Sequence, residues 1–319
     1  MKVTICGCGR WGSFLAWYAA EQCGHEVTLY GRASSSHFQK IMQTHTNGLV
    51  TFPETVHFSS DLHASIASAQ AVVISIGAQS LRGFLQDLSP AECVGKTWVL
   101  CMKGIEASTG LRLTQVVRSF LPNVDLAVWV GPGHVQDFLQ GIPNCMVVDS
   151  DSDTVKQRVV KIFESPLIRF YYGNDLVGNE VGAAAKNVIG IAAGMLDGMN
   201  KTALKGALMS RGTREIGRLI QAMGGREITA YGLAHLGDYE ATVFSKYSHN
   251  RQFGEDFVRG VHYEKLAEGV PTVTALLRLG SQYGVELPIC SAVDSVINGG
   301  QQPEKAVAGL FLRPIKREF

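Results

Sequence analysis

The chain has 319 residues, of which 46% are hydrophobic and 18% charged, with a formal net charge of +1 at pH 7. That length suffices for two domains, and that composition belongs to a packed globular protein, not a disordered or fibrous one. Near-neutral charge gives no field that favours nucleic acid or an anionic membrane, and no apolar run reaches the roughly 18 residues that span a bilayer.

Short apolar runs rich in Val, Ile and aromatics predict strands at Lys2–Cys6, His25–Tyr30, Ala71–Ile76, Thr97–Met102, Leu126–Val130, Asn144–Val148 and Leu167–Tyr172. Helical stretches at Trp11–Cys23, Ser35–Met42, Leu81–Leu88, Gly110–Phe120 and Ser152–Phe163 lie between most of them. Strand and helix in alternation imply βαβ units and a mostly parallel sheet, so residues 1–175 read as an α/β Rossmann-like domain. Beyond Asp175 the strand signals stop. Asn179–Met195 reads as a buried helix, Ile216, Leu219, Ile220 and Met223 keep helical spacing, and Thr272–Tyr283, Ser291–Ile297 and Pro303–Leu312 read as further helices. Residues 176–319 are thus expected to form an all-α domain.

Met1-Lys2-Val3-Thr4-Ile5-Cys6 runs straight into glycines and Arg10 without the pattern of a secretory leader. The 7 cysteines are scattered, with neither CxxC nor zinc spacing. Both features point to a cytoplasmic protein with buried thiols and no metal site.

Gly7-Cys8-Gly9-Arg10-Trp11-Gly12 matches G-x-G-x-x-G. With 35 glycines in the chain the pattern alone is weak, but here a strand precedes it, an apolar helix follows, and a second strand ends about 20 residues on. Gly7, Gly9 and Gly12 would let main-chain N–H groups meet a dinucleotide pyrophosphate at a helix N-terminus. An NAD-selective site usually carries Asp or Glu at the end of the second strand, whereas this chain has Tyr30-Gly31-Arg32. Arg32 suits a 2′-phosphate, which favours NADP, or either NADP or NAD, over strict NAD.

The region from Asn174 to Arg251 is densest in candidate chemistry. Lys186 sits in Gly182-Ala183-Ala184-Ala185-Lys186-Asn187, where small neighbours admit a substrate and burial would ease proton exchange near neutrality. Gly237-Asp238 marks a turn, and Ser248-His249-Asn250-Arg251 groups donors suited to an anion.

Together with Lys103-Gly104-Ile105-Glu106, Gly131-Pro132, Ala185–Val188, Leu236-Gly237-Asp238, Phe253-Gly254 and Glu268-Gly269-Val270, these residues resemble the NAD(P)-dependent glycerol-3-phosphate dehydrogenase family along nearly the whole chain. The resemblance implies interconversion of sn-glycerol 3-phosphate and dihydroxyacetone phosphate, feeding glycerophospholipid synthesis. It implies Lys186 as acid/base, Lys103 as a contact to both substrate and cofactor, and Asp238 as the group that orients the lysine or a substrate hydroxyl. Ser248, His249 and Asn250 would occupy the phosphate seat and Gly131 the substrate's edge. Arg10, Trp11, Val135 and Glu268 would line the cofactor.

Three positions depart from the family pattern. His249 stands where the family has Arg, which gives phosphate a permanent forked grip. Gly131-Pro132-Gly133-His134-Val135 replaces Gly-Pro-Ser/Thr-Phe-Ala, and Gly77-Ala78 replaces a Pro-Ser pair. Either His249 or Arg251 would then take over phosphate binding, or the substrate is another small ketone with a different anionic end. A ketopantoate or β-hydroxyacid type reductase and a catalytically silent NAD(P)-binding protein are the competing readings. Helical domains of this kind often form homodimers, but no exposed patch marks an interface in the sequence.

Overall fold

In a computed structural model, which describes residues 1–315, 317 and 318, the chain divides into two compact units. The first comprises Met1–Lys103 with Leu111–Leu176, and the second comprises Gly104–Gly110 with Val177 onward.

In the first unit β1 (Lys2–Cys6) leads through α1 (Arg10–Glu21) to β2 (Glu26–Tyr30), α2 (Ser36–Thr44), β3 (Val56–Ser59), α3 (Leu62–Ser68) and β4 (Ala71–Ile74). Then come α4 (Leu81–Gln86), α5 (Pro90–Cys93), β5 (Thr97–Leu100), α6 (Leu113–Phe120), β6 (Asp125–Val130), α7 (Val135–Leu139), β7 (Asn144–Asp149), α8 (Asp153–Phe163) and β8 (Ile168–Tyr172). The strands form one sheet in the order β3-β2-β1-β4-β5-β6-β7-β8, parallel except where β7 runs antiparallel to β6. A reversal suits that junction, because the β6–β7 link holds only the short α7 and is no full crossover. Alternate residues bury on opposite faces. Val3, Ile5, Val73 and Val99 join the core under α1 and α8, while Val72, Ile74, Trp98 and Leu100 join the other. A sheet covered on both sides produces the continuous apolar runs seen in the sequence.

The strand β3 is not among the expected ones. It is four residues long, half polar (Val-His-Phe-Ser), and pairs only with β2 at the sheet edge. The unexpected short helices α3 and α5 rest on caps instead of apolar periodicity: Asp61 accepts the Ala64 N–H at 3.0 Å, and Glu92 accepts the Ser89 N–H with Pro90 at the first helical position.

The second unit contains α9 (Leu176–Gly198), α10 (Lys205–Ala222), α11 (His249–Val258), α12 (Gly269–Tyr283), α13 (Pro288–Ile297) and α14 (Pro303–Phe311). Ile105 is fully buried in this unit's core, which places the Gly104–Gly110 segment with the helices despite its position in the chain. No helix among the described residues is long and apolar enough to cross a membrane.

The helix α9 is the axis of this unit, with every residue from Gly178 to Leu196 buried. Gly182, Gly190, Gly194 and Gly198 recur at four-residue spacing along one ridge that winds round the helix, with Lys186 in the same row. The segment from His235 to Val258 lies along that ridge. A Cβ on Gly182 would meet His235 Cβ at 3.0 Å, and one on Gly190 would meet Thr242 Cγ2 at 2.7 Å. At Gly194 it would overlap the Arg251 carbonyl, and at Gly198 the Val258 side chain. Gly254 on α11 answers this pattern, since a Cβ there would overlap the Ile191 carbonyl of α9.

Gly194→Ala should therefore cost on the order of 3 kcal/mol, because two helix backbones must part to admit one methyl group. Gly206→Ala, on the exposed face of α10 with nothing within 4 Å of the added carbon, should gain roughly 0.5–1 kcal/mol. Urea unfolding of both variants checks the pair. Equal effects would show that the close approach of α11 to α9 is dispensable.

Candidate active site

In the sheet unit the chain leaves β1 for β2 and β3 on one side and returns to β4 on the other, so a crevice opens at the carboxyl ends of β1 and β4. The glycine turn sits there, and its three glycines do different work. Gly7 has φ +113°, and a Cβ on it would overlap the Ser75 carbonyl that follows β4. Gly12 would overlap the Gly7 carbonyl, so its lack of a side chain lets α1 start against the strand. Gly9 faces open space, with nothing within 4 Å of an added carbon. That open cradle, at the N-terminus of the twelve-residue α1, fits a pyrophosphate brought close to backbone N–H groups.

Around the turn, the His37 ring nitrogen Nε2 lies 3.1 Å from the Cys8 carbonyl oxygen. Arg32 is exposed at the end of β2, and its charge reaches Cys8. No carboxylate stands in Tyr30-Gly31-Arg32, where Arg32 is the charged side chain. Burial pushes the Cys6 thiol well above its ordinary range and also raises that of Cys8, which leaves both as poor nucleophiles.

Two further expected residues meet beyond β5 and β6, where the Lys103 ammonium donates to the Gly131 carbonyl at 2.8 Å. Gly133 has φ +152°, and a Cβ there would overlap the Phe138 ring, which itself stacks on Phe14 at 5.1 Å. The hydroxyl that the family pattern puts at this position is thus excluded by packing. Val135 buries its side chain in the sheet core, which leaves only its main chain for a ligand. Gly77 adopts φ −60° and ψ 135°, a conformation open to proline, so the loop after β4 keeps a prolyl shape without the ring.

In the helical unit Lys186 and Asp238 come together. Nζ lies 3.1 Å from Asp238 Oδ2 and donates to Thr242 Oγ1 at 2.7 Å, and the Thr242 hydroxyl donates to the Asp238 carbonyl at 2.7 Å. Lys186 is 8% exposed and Asp238 1%, so each charge depends on the other for compensation. Asp238 ends a single 3-10 turn, Leu236–Asp238, and Thr242 lies in a π turn, Glu240–Phe244, a rare geometry that recurs at functional sites. Thr242, four residues after Asp238, is a position where the sequence matches the family pattern, but the sequence reading gave it no role.

His235 holds this turn against α9. Its Nδ1 lies 2.8 Å from the Gly182 carbonyl oxygen and its Nε2 2.7 Å from the Tyr239 hydroxyl. A carbonyl can only accept, so Nδ1 carries the proton and Nε2 accepts from the tyrosine. Burial lowers the pKa of this imidazole to about 4.

Ser248, His249 and Asn250 gather at the head of α11. Ser248 Oγ caps the helix by accepting the Arg251 N–H, and Asn250 Oδ1 accepts the Gly269 N–H at 2.8 Å. The Ser248 hydroxyl and the Asn250 amide N–H groups are left as donors beside a helix N-terminus. Arg251, the other phosphate ligand that the sequence allowed, pairs with carboxylates here. Its Nε lies 3.0 Å from Asp197 Oδ2 and its Nη1 donates to Glu255 at 2.9 Å, which binds the guanidinium to two carboxylates. Glu268 stands immediately before α12, where its carbonyl accepts the Thr272 hydroxyl.

Two family models match the chain. The one described as NAD-dependent glycerol-3-phosphate dehydrogenase N-terminus covers residues 2–156, and its C-terminus counterpart covers residues 175–308. The chain is 35% identical over 329 residues to a glycerol-3-phosphate dehydrogenase (NAD(P)+) of Parvibaculum lavamentivorans, spanning 99% of this chain and 98% of the relative. It is 36% identical over 334 residues to a protein of the same description from Acidithiobacillus ferrooxidans, spanning 100% and 96%. The crystal structure of a Coxiella burnetii glycerol-3-phosphate dehydrogenase superposes with a TM-score of 0.92 at 26% identity, over 98% of this chain and 99% of that one.

Two outcomes follow from the geometry. Gly9→Ala should leave thermal stability nearly unchanged yet weaken NADPH binding, while Gly12→Ala should lower stability by about 2 kcal/mol; fluorescence titration and thermal unfolding separate them. His235 stays neutral in the folded chain down to about pH 4 but binds a proton near 6.5 once unfolded. Stability is therefore complete above pH 6.5 and falls by up to about 1.4 kcal/mol per pH unit between 6.5 and 4. Urea midpoints across that window should lose this slope in His235→Asn, and an unchanged slope would contradict the assignment.

Proposed function

This chain belongs to the NAD-dependent glycerol-3-phosphate dehydrogenase family, and from that premise we propose that it is a cytoplasmic enzyme interconverting sn-glycerol 3-phosphate and dihydroxyacetone phosphate with NADP or NAD. Residues 1–175 would bind the dinucleotide, and residues 176–319 would carry the substrate and catalytic groups. The observation that carries the reading is the buried Lys186–Asp238 pair with Thr242, a proton donor on the glycine ridge of α9. A family match over both halves of the chain favours this reading over a ketopantoate-type reductase. A silent NAD(P)-binding protein would bind NADPH without oxidising it.

Gly7, Gly9 and Gly12 would seat the pyrophosphate, with Arg10, Trp11, Val135 and Glu268 around the dinucleotide and Arg32 on the adenosine ribose. When bound, a reduced nicotinamide supplies the hydride that the substrate's carbonyl carbon accepts. Lys186 gives a proton to the carbonyl oxygen, so that the ketone becomes a secondary alcohol, and takes it back in the reverse direction. Asp238 holds the ammonium in place, and Thr242 accepts one of its protons, which limits the directions in which the others point. By the family resemblance Lys103, anchored to the Gly131 carbonyl, would contact substrate and cofactor and stabilise the developing alkoxide. Ser248, His249 and Asn250 donate to the phosphate.

The test is loss of NADPH or NADH absorbance with dihydroxyacetone phosphate, followed by a panel of small keto acids. Turnover of the phosphate ester is expected; none between about pH 6 and 8.5 would sink the reading. Lys186→Met should lower kcat by roughly 10²–10⁴-fold while NADPH binding persists.

A further inference from the structure

The imidazole of His249 does not stand alone at the head of α11. The Tyr263 phenol oxygen lies 2.6 Å from its Nδ1, and the rings meet edge-on with centroids 6.4 Å apart. Tyr263 arrives from the segment after α11, which turns back at Gly260. Its ring leans edge-on against Phe253 at 5.9 Å, one helical turn along from His249, and Phe253 in turn contacts Phe257 at 5.7 Å. Tyr263 therefore lies along the stripe of α11 that carries 249, 253 and 257. Its hydroxyl is placed by ring packing as well as by the hydrogen bond.

A neutral imidazole has one N–H and one acceptor nitrogen, and whichever partner one nitrogen meets decides the character of the other. The phenol is a stronger acid than a neutral imidazole N–H, which favours it as donor to Nδ1 and leaves the ring's proton on Nε2. That makes the far edge of the imidazole a donor, beside the donors of Ser248 and Asn250. An arginine needs no such partner, because its guanidinium carries all its donors in a rigid fork.

Resting on the reading of 248–250 as the phosphate seat, we propose that Tyr263 is a specificity-determining positioning residue. It fixes the tautomer and ring orientation of His249, so that Nε2–H serves the phosphate in place of the family's arginine. The pair, not the histidine alone, is the replacement.

Steady-state kinetics of the full chain with NADPH and dihydroxyacetone phosphate test this. Tyr263→Phe keeps the ring and its contact with Phe253 and removes only the hydroxyl. It should raise the substrate KM about five- to tenfold, as expected for one mislaid hydrogen bond. Both kcat and the KM for NADPH should stay within about twofold of the native values. In a His249→Arg background the same exchange should move the substrate KM less than about twofold, because the fork no longer needs the phenol. Equal rises in both backgrounds would show that Tyr263 merely supports its loop. An unchanged KM in the native background would overturn the proposal, as would a matching change in kcat or in the KM for NADPH. Native enzyme that fails to turn over dihydroxyacetone phosphate defeats the phosphate reading first, and the proposal with it; turnover without the KM shift defeats the proposal alone.

Discussion

The helical unit depends on one ridge of one helix. Along α9 the residues at four-residue spacing from Gly182 to Gly198 are glycines except for Lys186, and the chain from His235 to Val258 lies against them. Bare backbone allows α11 to approach until Gly194 meets the Arg251 carbonyl and Gly254 meets that of Ile191. This proximity brings Asp238 and Thr242 onto the one long side chain of the stripe. A larger residue at any of the glycines would move the partners of Lys186 as well as the packing, so scaffold and chemistry share a single constraint.

Charges in this unit sort by the same geometry. Asp238 would be costly to bury alone, and so would Lys186; together, with Thr242 satisfying a further hydrogen bond, they offset each other. Asp197 gathers a second set, Lys205 at 2.6 Å and Arg251 at 3.0 Å, which ties the end of α9 to the N-terminal turns of α10 and α11. That network uses Arg251 for structure. In the proposed reading the anion-facing role at the head of α11 would pass to Ser248, His249 and Asn250.

The departures from the family pattern have local physical causes. Phe138 fills the space in which a side chain at 133 would stand, and glycine there is the consequence of an aromatic cluster with Trp11 and Phe14. Gly77 retains a proline-compatible backbone, so its exchange alters stiffness more than shape. Tyr263 accompanies His249. For Gly133 and His249 the neighbour concerned, Phe138 or Tyr263, carries no motif of its own.

Much of the fold was legible in the residues. Strands covered on both faces must be apolar throughout, a glycine turn between strand and helix has a definite backbone requirement, and the end of β8 coincides with the end of strand-like composition. The edge strand β3 and the helices α3 and α5 escaped, because they are short and held by caps or a single neighbour. Lys186, Asp238, Ser248, His249 and Asn250 stand out in the sequence only as candidates, by residue type. What only the tertiary structure decided is who pairs with whom. Periodicity reports which face of an element is buried, but not which donor sits 3 Å from which acceptor. So Lys186 acquired Asp238 and Thr242, Lys103 acquired Gly131, Arg251 was taken by Asp197 and Glu255, and His249 gained Tyr263. Pairing is a property of three-dimensional distance, and most of these partners lie ten to sixty residues apart in the chain.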